Sequence, residues 1–124
     1  SISLVDRMQF DVAKDTGYYN FQGLRVHNKK DVEDIRYAAE ELCKPLGRKI
    51  ALVVNYDNFQ IDEAVVDDYS AMVKEISDAY YTEVSRYTTS AFMRLKLGAA
   101  LEKRGLAAHI YETPKEAFAS ARQA

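Results

Sequence analysis

The segment Ile50-Ala51-Leu52-Val53-Val54 places five apolar residues in succession, with no polar residue between them. A strand with water on one face alternates apolar and polar side chains. An unbroken run of this kind therefore predicts a strand covered on both faces, as in the centre of a parallel sheet. Parallel neighbours require crossover connections, usually helices, and the flanking sequence has the right period for them. Before the run, Val32, Ile35, Ala39 and Leu42 recur at the 3, 4, 3 spacing of one helical face. Asn28 is placed to cap that helix, Asp31, Glu33 and Asp34 suit the positive end of its dipole, and Lys44-Pro45-Leu46-Gly47 stops it. After the run, Val65, Tyr69, Met72, Ile76 and Ala79 repeat the helical pattern, with Asp62 as the expected N-cap and Glu63 favouring the dipole.

The rest of the chain extends the same alternation. Two β-prone runs, Met8 to Val12 and Tyr18 to Val26, flank Lys14-Asp15-Thr16-Gly17 and predict an opening hairpin. Thr82 to Tyr87 has strand character. Ser90 then opens a helix whose apolar face is expected to run through Phe92, Leu95 and Ala99, with Gly105 as its left-handed cap. Ala107 to Tyr111 predicts a last short strand, with His109 packed within it. Thr113-Pro114-Lys115-Glu116 is a capping box with proline at the first helical position, leading into Ala117, Phe118 and Ala121. The expectation is one α/β domain over residues 1–124: an N-terminal β-hairpin, then alternating α and β, with a mixed, mainly parallel sheet and about four helices.

Composition narrows the functional classes. The 17 Lys and Arg against 19 Asp and Glu give a net charge of -2, which offers no general attraction to nucleic acid or to an anionic membrane. No apolar run approaches the roughly 20 residues that span a bilayer, and the N-terminus lacks a signal-peptide pattern, so the expected location is cytoplasmic. The single cysteine, Cys43, excludes an internal disulfide and reads as a small buried hydrophobe. Two histidines and one cysteine at these spacings assemble no zinc motif, and no cofactor is expected in the domain itself. Phosphate-binding glycine loops and a nucleophile elbow are absent from the sequence. The chain begins at Ser1 without methionine, which reads as a processed protein or a piece of a longer one.

Two loops carry the candidate chemistry. In Arg86-Tyr87-Thr88-Thr89-Ser90, leading to Arg94, a strand end runs into a helix N-terminus, where amides, three hydroxyls and Arg86 would converge on a phosphate or carboxylate. The competing reading is an ordinary N-cap and turn, with Arg86 paired to a neighbouring acid. Asn55, Tyr56 and Asp57 follow the central strand and should share the same sheet edge as contacts for a partner or ligand. Arg94, Lys96, Lys103 and Arg104 make the helix after Ser90 locally basic, with Glu102 opposing.

Four stretches resemble a known family when taken together. They are Tyr19 to Val26, Val53 to Phe59, Arg86 to Gly98, and His109-Ile110-Tyr111-Glu112. They are similar to the C-terminal domain of bacterial acyl-CoA:acetate/3-ketoacid CoA transferases, over nearly the whole chain from about Arg7. The element order also resembles the STAS fold of anti-sigma-factor antagonists and sulfate-transporter tails. In that fold a helix opens with Asp-Ser-Ser-Gly, whose serine can be phosphorylated; here Asp62-Glu63-Ala64-Val65 keeps the aspartate and lacks both serines, which argues against a phosphorylation switch at that point. The transferase resemblance implies a parent enzyme that moves CoA between carboxylic acids through a glutamyl thioester. The glutamate that forms it lies in a Glu-x-Gly setting that this chain does not contain. What is implied for this domain is accessory contact with the transferase domains of the parent chain, in a homo-oligomeric enzyme whose CoA or acyl-CoA is held elsewhere. A free-standing module that binds an anion or CoA, or a STAS-type regulator, is the alternative.

Overall fold

The computed structural model describes residues 3–122. A short helical turn, α1 (Leu4–Arg7), leads into the hairpin of β1 (Met8–Asp11) and β2 (Thr16–Asn20). Next come β3 (Arg25–Val26), α2 (Lys29–Cys43), β4 (Ile50–Asn55), β5 (Gln60–Ile61) and α3 (Val66–Tyr80). The chain ends with β6 (Tyr81–Tyr87), α4 (Ala91–Lys103) and α5 (Pro114–Arg122). The principal sheet has the order β1-β2-β4-β6, antiparallel between β1 and β2 and parallel across the other two pairs. The architecture is thus α/β, with five helices and a mixed, mostly parallel sheet among the described residues.

The apolar run is the core of β4, which lies between β2 and β6. Leu52 and Val54 face a large cluster built with Val32 and Ile35 of α2, Tyr69 and Met72 of α3, and Leu97 and Leu101 of α4. Val53 faces the other way, into a smaller cluster with Tyr87 and with Ala117 and Ala121 of α5. Three helices therefore cover one face of the sheet and one covers the other. The expected caps of α2 and α5 form: the Asp31 amide donates to Asn28 Oδ1 (2.9 Å), and the Glu116 amide donates to Thr113 Oγ1 (3.2 Å). Cys43 is buried at the end of α2.

Several expectations are corrected. The second hairpin strand ends at Asn20 instead of reaching Val26: Phe21 N–H makes the last bond to β4, at Asn55 O (2.9 Å), and Gly23 then turns the chain at a φ of 71°. Arg25 and Val26 pair instead with Gln60 and Ile61 in a separate two-stranded ribbon. Thr16 and Gly17 belong to β2, so the hairpin turn is the preceding stretch, with Asp15 at φ 53°. Asp62 does not cap α3 through its side chain; a 3-10 turn, Glu63–Val65, intervenes, and the Asp62 carboxylate lies beside His27 (3.3 Å). His109 is exposed, and Ala107 to Tyr111 is not a strand: only Tyr111 bridges to Tyr87.

The largest difference is the orientation of α4. Ser90 caps it by accepting from Met93 N–H (3.1 Å), and Gly105 closes it at φ 73°, both as expected. Yet the buried face is Met93, Leu97, Gly98, Ala100 and Leu101, while Phe92, Leu95 and Ala99 point outward. Gly98 explains how closely that face seats. A Cβ built there would lie 2.9 Å from the Ala108 carbonyl oxygen, a backbone atom that cannot swing aside. Alanine would gain about 1 kcal/mol in helix propensity. Overpacking against backbone costs about 1–3 kcal/mol. Gly98→Ala is therefore expected to lower stability by up to about 2 kcal/mol in urea unfolding; a more stable variant would show that α4 does not pack this tightly.

Candidate functional site

The carboxyl ends of β2, β4 and β6 lie side by side, since Asn20 is in register with Asn55 and Asn55 with Tyr87. The two loops singled out in the sequence leave the sheet at this edge, and the fold brings them together. Asn55 Nδ2 donates to Asn20 Oδ1 (3.1 Å), while its Oδ1 accepts from Asp57 N–H (2.8 Å). Tyr56 N–H donates to Tyr87 O (2.9 Å), which ties the loop after β4 to the end of β6. The Tyr56 hydroxyl pairs with that of Tyr69 at 2.7 Å. Burial, then Tyr56, pushes the Tyr69 hydroxyl far above the ordinary tyrosine range, with Arg86 acting in the opposite sense.

The helix N-terminus at this corner is satisfied from within. Asp57 Oδ1 accepts from Thr89 N–H (2.8 Å) and from Thr89 Oγ1 (3.2 Å). Ser90 N–H donates to Thr88 Oγ1 (3.2 Å). Arg94 closes the turn by donating to Thr88 O (2.8 Å) and lies 3.6 Å from Glu112. Asp57 thus stands where an incoming phosphate or carboxylate would sit, because a carboxylate accepting amide hydrogens at a helix start is the same interaction made internally. Of the residues assigned to an interface, Asn55, Tyr56, Arg86, Tyr87 and Thr88 are buried, whereas Thr89 is exposed and Asp57, Ser90 and Arg94 are half-buried. Two further basic residues of this segment are likewise engaged: Lys96 of α4 reaches Ile61 O (3.1 Å) and Glu63 (3.2 Å), and Arg104, at its C-cap, reaches Asp67 O (3.1 Å).

Arg86 does not join the Thr88–Ser90 turn. It is 3% exposed, and its Nε has no hydrogen-bond partner. Nor does it pair with an acid, as the competing reading had it: among the described residues no ion pair involves Arg86. Its side chain lies on the sheet face that carries α3, beside Val84 and Tyr69, and borders a cleft of about 410 Å³. Thr88, Thr89 and Ser90 do not line that cleft. The signal was present in the sequence, because Val84 and Arg86 share one face of a strand by simple alternation. The feature that reading missed altogether is Ser77, on α3, whose buried Oγ is likewise without a partner and which borders the same cleft.

Among the described residues no helix is long and apolar enough to cross a membrane, and no three of His, Cys, Asp and Glu gather as a metal site. No family model matches the chain, and no curated protein or solved structure matches it either.

Proposed function

We propose that this chain is a non-catalytic accessory domain of STAS-like type, which docks on the catalytic body of an acyl-CoA:acetate/3-ketoacid CoA transferase through the outer face of α4. The observation that carries the reading is the exposure of Phe92 (70%) and Leu95 (77%), one turn apart on a helix whose opposite face is already buried. A helix apolar on two sides is normally covered on both. Ala99 continues the exposed row, and Thr89 extends it towards the strand ends. The resemblance of Arg86 to Gly98 to the transferase C-terminal domain supports the choice of partner, since this stretch contains both Phe92 and Leu95. The internally satisfied corner at Asp57 supports a role in contact: its donors are spent on holding loops that present the helix.

Each of these two side chains is worth about 1.5–3 kcal/mol when fully buried. The double substitution Phe92→Ser with Leu95→Ser is therefore expected to weaken docking by about a hundredfold or more while leaving the unfolding midpoint nearly unchanged. The partner is identified by placing a photoreactive residue at position 92 in the producing cells, with position 12 on the far hairpin as control. Crosslinking to a CoA-transferase polypeptide, or to transferase domains of the same chain, is the expected result. Crosslinking at position 92 only to unrelated proteins, or equally from both positions, would overturn the proposal.

A further inference from the structure

An unpaired guanidinium inside a protein is costly. Removing a charge from water without a counter-charge leaves it with an uncompensated desolvation penalty. Arg86 is in that position, at 3% exposure, with an orphaned Nε and no acid beside it among the described residues. The Ser77 hydroxyl is a second buried polar group without a partner. Both residues border the open cleft of about 410 Å³, and both also border a small void of about 20 Å³ that reaches into the core below Tyr69. They therefore stand where the cleft meets the interior. We propose that this cleft, between the last turns of α3, the outer edge of β6 and residues 105–111, binds a small organic monocarboxylate, with Arg86 and Ser77 holding the carboxylate.

The charge around the cleft selects the ligand class. Lys74 is spent on Asp78 at 3.2 Å, and Glu83 faces the cleft while accepting from Ser120 Oγ (3.3 Å). Two cations and two carboxylates line the cleft, so it carries no excess positive charge beyond what one buried guanidinium directs inward. A phosphate dianion would meet Glu83 with no further cation to offset it, since Lys74 is already paired with Asp78. One carboxylate matches one guanidinium, whose planar fork donates to both oxygens, and the serine hydroxyl supplies a further donor. Leu106 and Val84 give the walls an apolar stretch for a short acyl or aryl tail. The inference is independent of the transferase reading, since it uses only these side chains.

The probes are acetate, butyrate, benzoate and inorganic phosphate, each titrated into nitrogen-15-labelled protein while the arginine Nε–H resonances and the amides of Ser77 and Val84 are followed. Butyrate or benzoate is expected to shift the Arg86 Nε–H resonance saturably and to raise the unfolding midpoint. Arg86→Met should weaken that binding by at least about tenfold, the loss of a charge-assisted pair. Ser77→Ala should weaken it by about threefold with the fold intact, so the proposal stays testable even if the arginine variant repacks. No saturable shift with any carboxylate would overturn the site. Tighter binding of phosphate than of every carboxylate would overturn the ligand class, and binding unchanged in both variants would overturn the assigned residues.

Discussion

Raised above pH 10, this protein is expected to unfold in one cooperative step near pH 11 to 12, with Tyr19, Tyr69 and Tyr81 ionising during that step and not before it. Tyr19, Tyr69 and Tyr81 are buried, and burial is the first cause that raises each hydroxyl far above the ordinary value of about 10. Tyr19 and Tyr81 are hydrogen-bonded to one another, and Cys43 lies 3.5 Å from the Tyr19 hydroxyl, so neither phenol can ionise without placing a charge among uncharged neighbours. The folded state holds these protons when the unfolded chain would already have released them. The stabilisation is therefore complete below about pH 10 and is lost as the pH climbs towards the folded values. Each group contributes about 1.4 kcal/mol at one pH unit above its unfolded value, so the three together remove about 4 kcal/mol at pH 11 and about 8 kcal/mol at pH 12. That is comparable with the whole stability of an ordinary domain. Burial also raises Cys43, which adds in the same sense from about pH 8.5. The share of tyrosinate absorbance that belongs to these three phenols should appear together with the loss of far-ultraviolet circular dichroism. Titration of all tyrosines near pH 10 with the circular dichroism still native would refute the buried assignment.

Leu52→Ala is expected to cost about 3 kcal/mol and Val53→Ala about 1.5–2 kcal/mol, although the two residues are adjacent on one strand. Leu52 is 2% exposed and projects into the large cluster under α2 and α3. Deleting its isobutyl group leaves a cavity between a sheet and helices that pack on one another. Val53 is 0% exposed and projects into the smaller cluster under α5, where fewer atoms are removed. Urea unfolding with an unchanged denaturant slope measures both losses. A neutral Val53→Ala would mean that α5 does not cover that face in solution and that β4 is buried on one side only.

Much of the architecture was legible because it is written in local chemistry. The caps at Asn28, Ser90, Thr113 and Gly105 need only the residues within one turn of themselves, and each forms as its sequence indicates. The continuous run at 50–54 identified a two-faced strand because alternation would be required if either face met water. The candidate corner was half legible. Sequence order after two parallel strands placed Asn55 to Asp57 beside Thr88 to Ser90, but whether the Thr89 amide faces a ligand or an internal acid depends on Asp57, which is 32 residues away.

What this sequence determines by itself is the alternation and order of the larger elements, the central position of β4 and the caps of α2, α4 and α5. Those properties follow from hydrophobic period, turn chemistry and capping, all of which act over a few residues. Tertiary structure alone decides which apolar row of α4 is buried. Positions 92, 95 and 99 and positions 93, 97 and 100 both have helical spacing, and the choice falls to the close approach of Gly98 to the Ala108 carbonyl. It also decides that Ala107 to Ile110 runs beside β6 without pairing to it, which leaves the cleft, and that Arg86 faces that cleft with Ser77 and not the loop it leads into. Local periodicity ranks faces by their content, but burial is a competition among all surfaces of the chain for the same neighbours, and only the packed molecule resolves it.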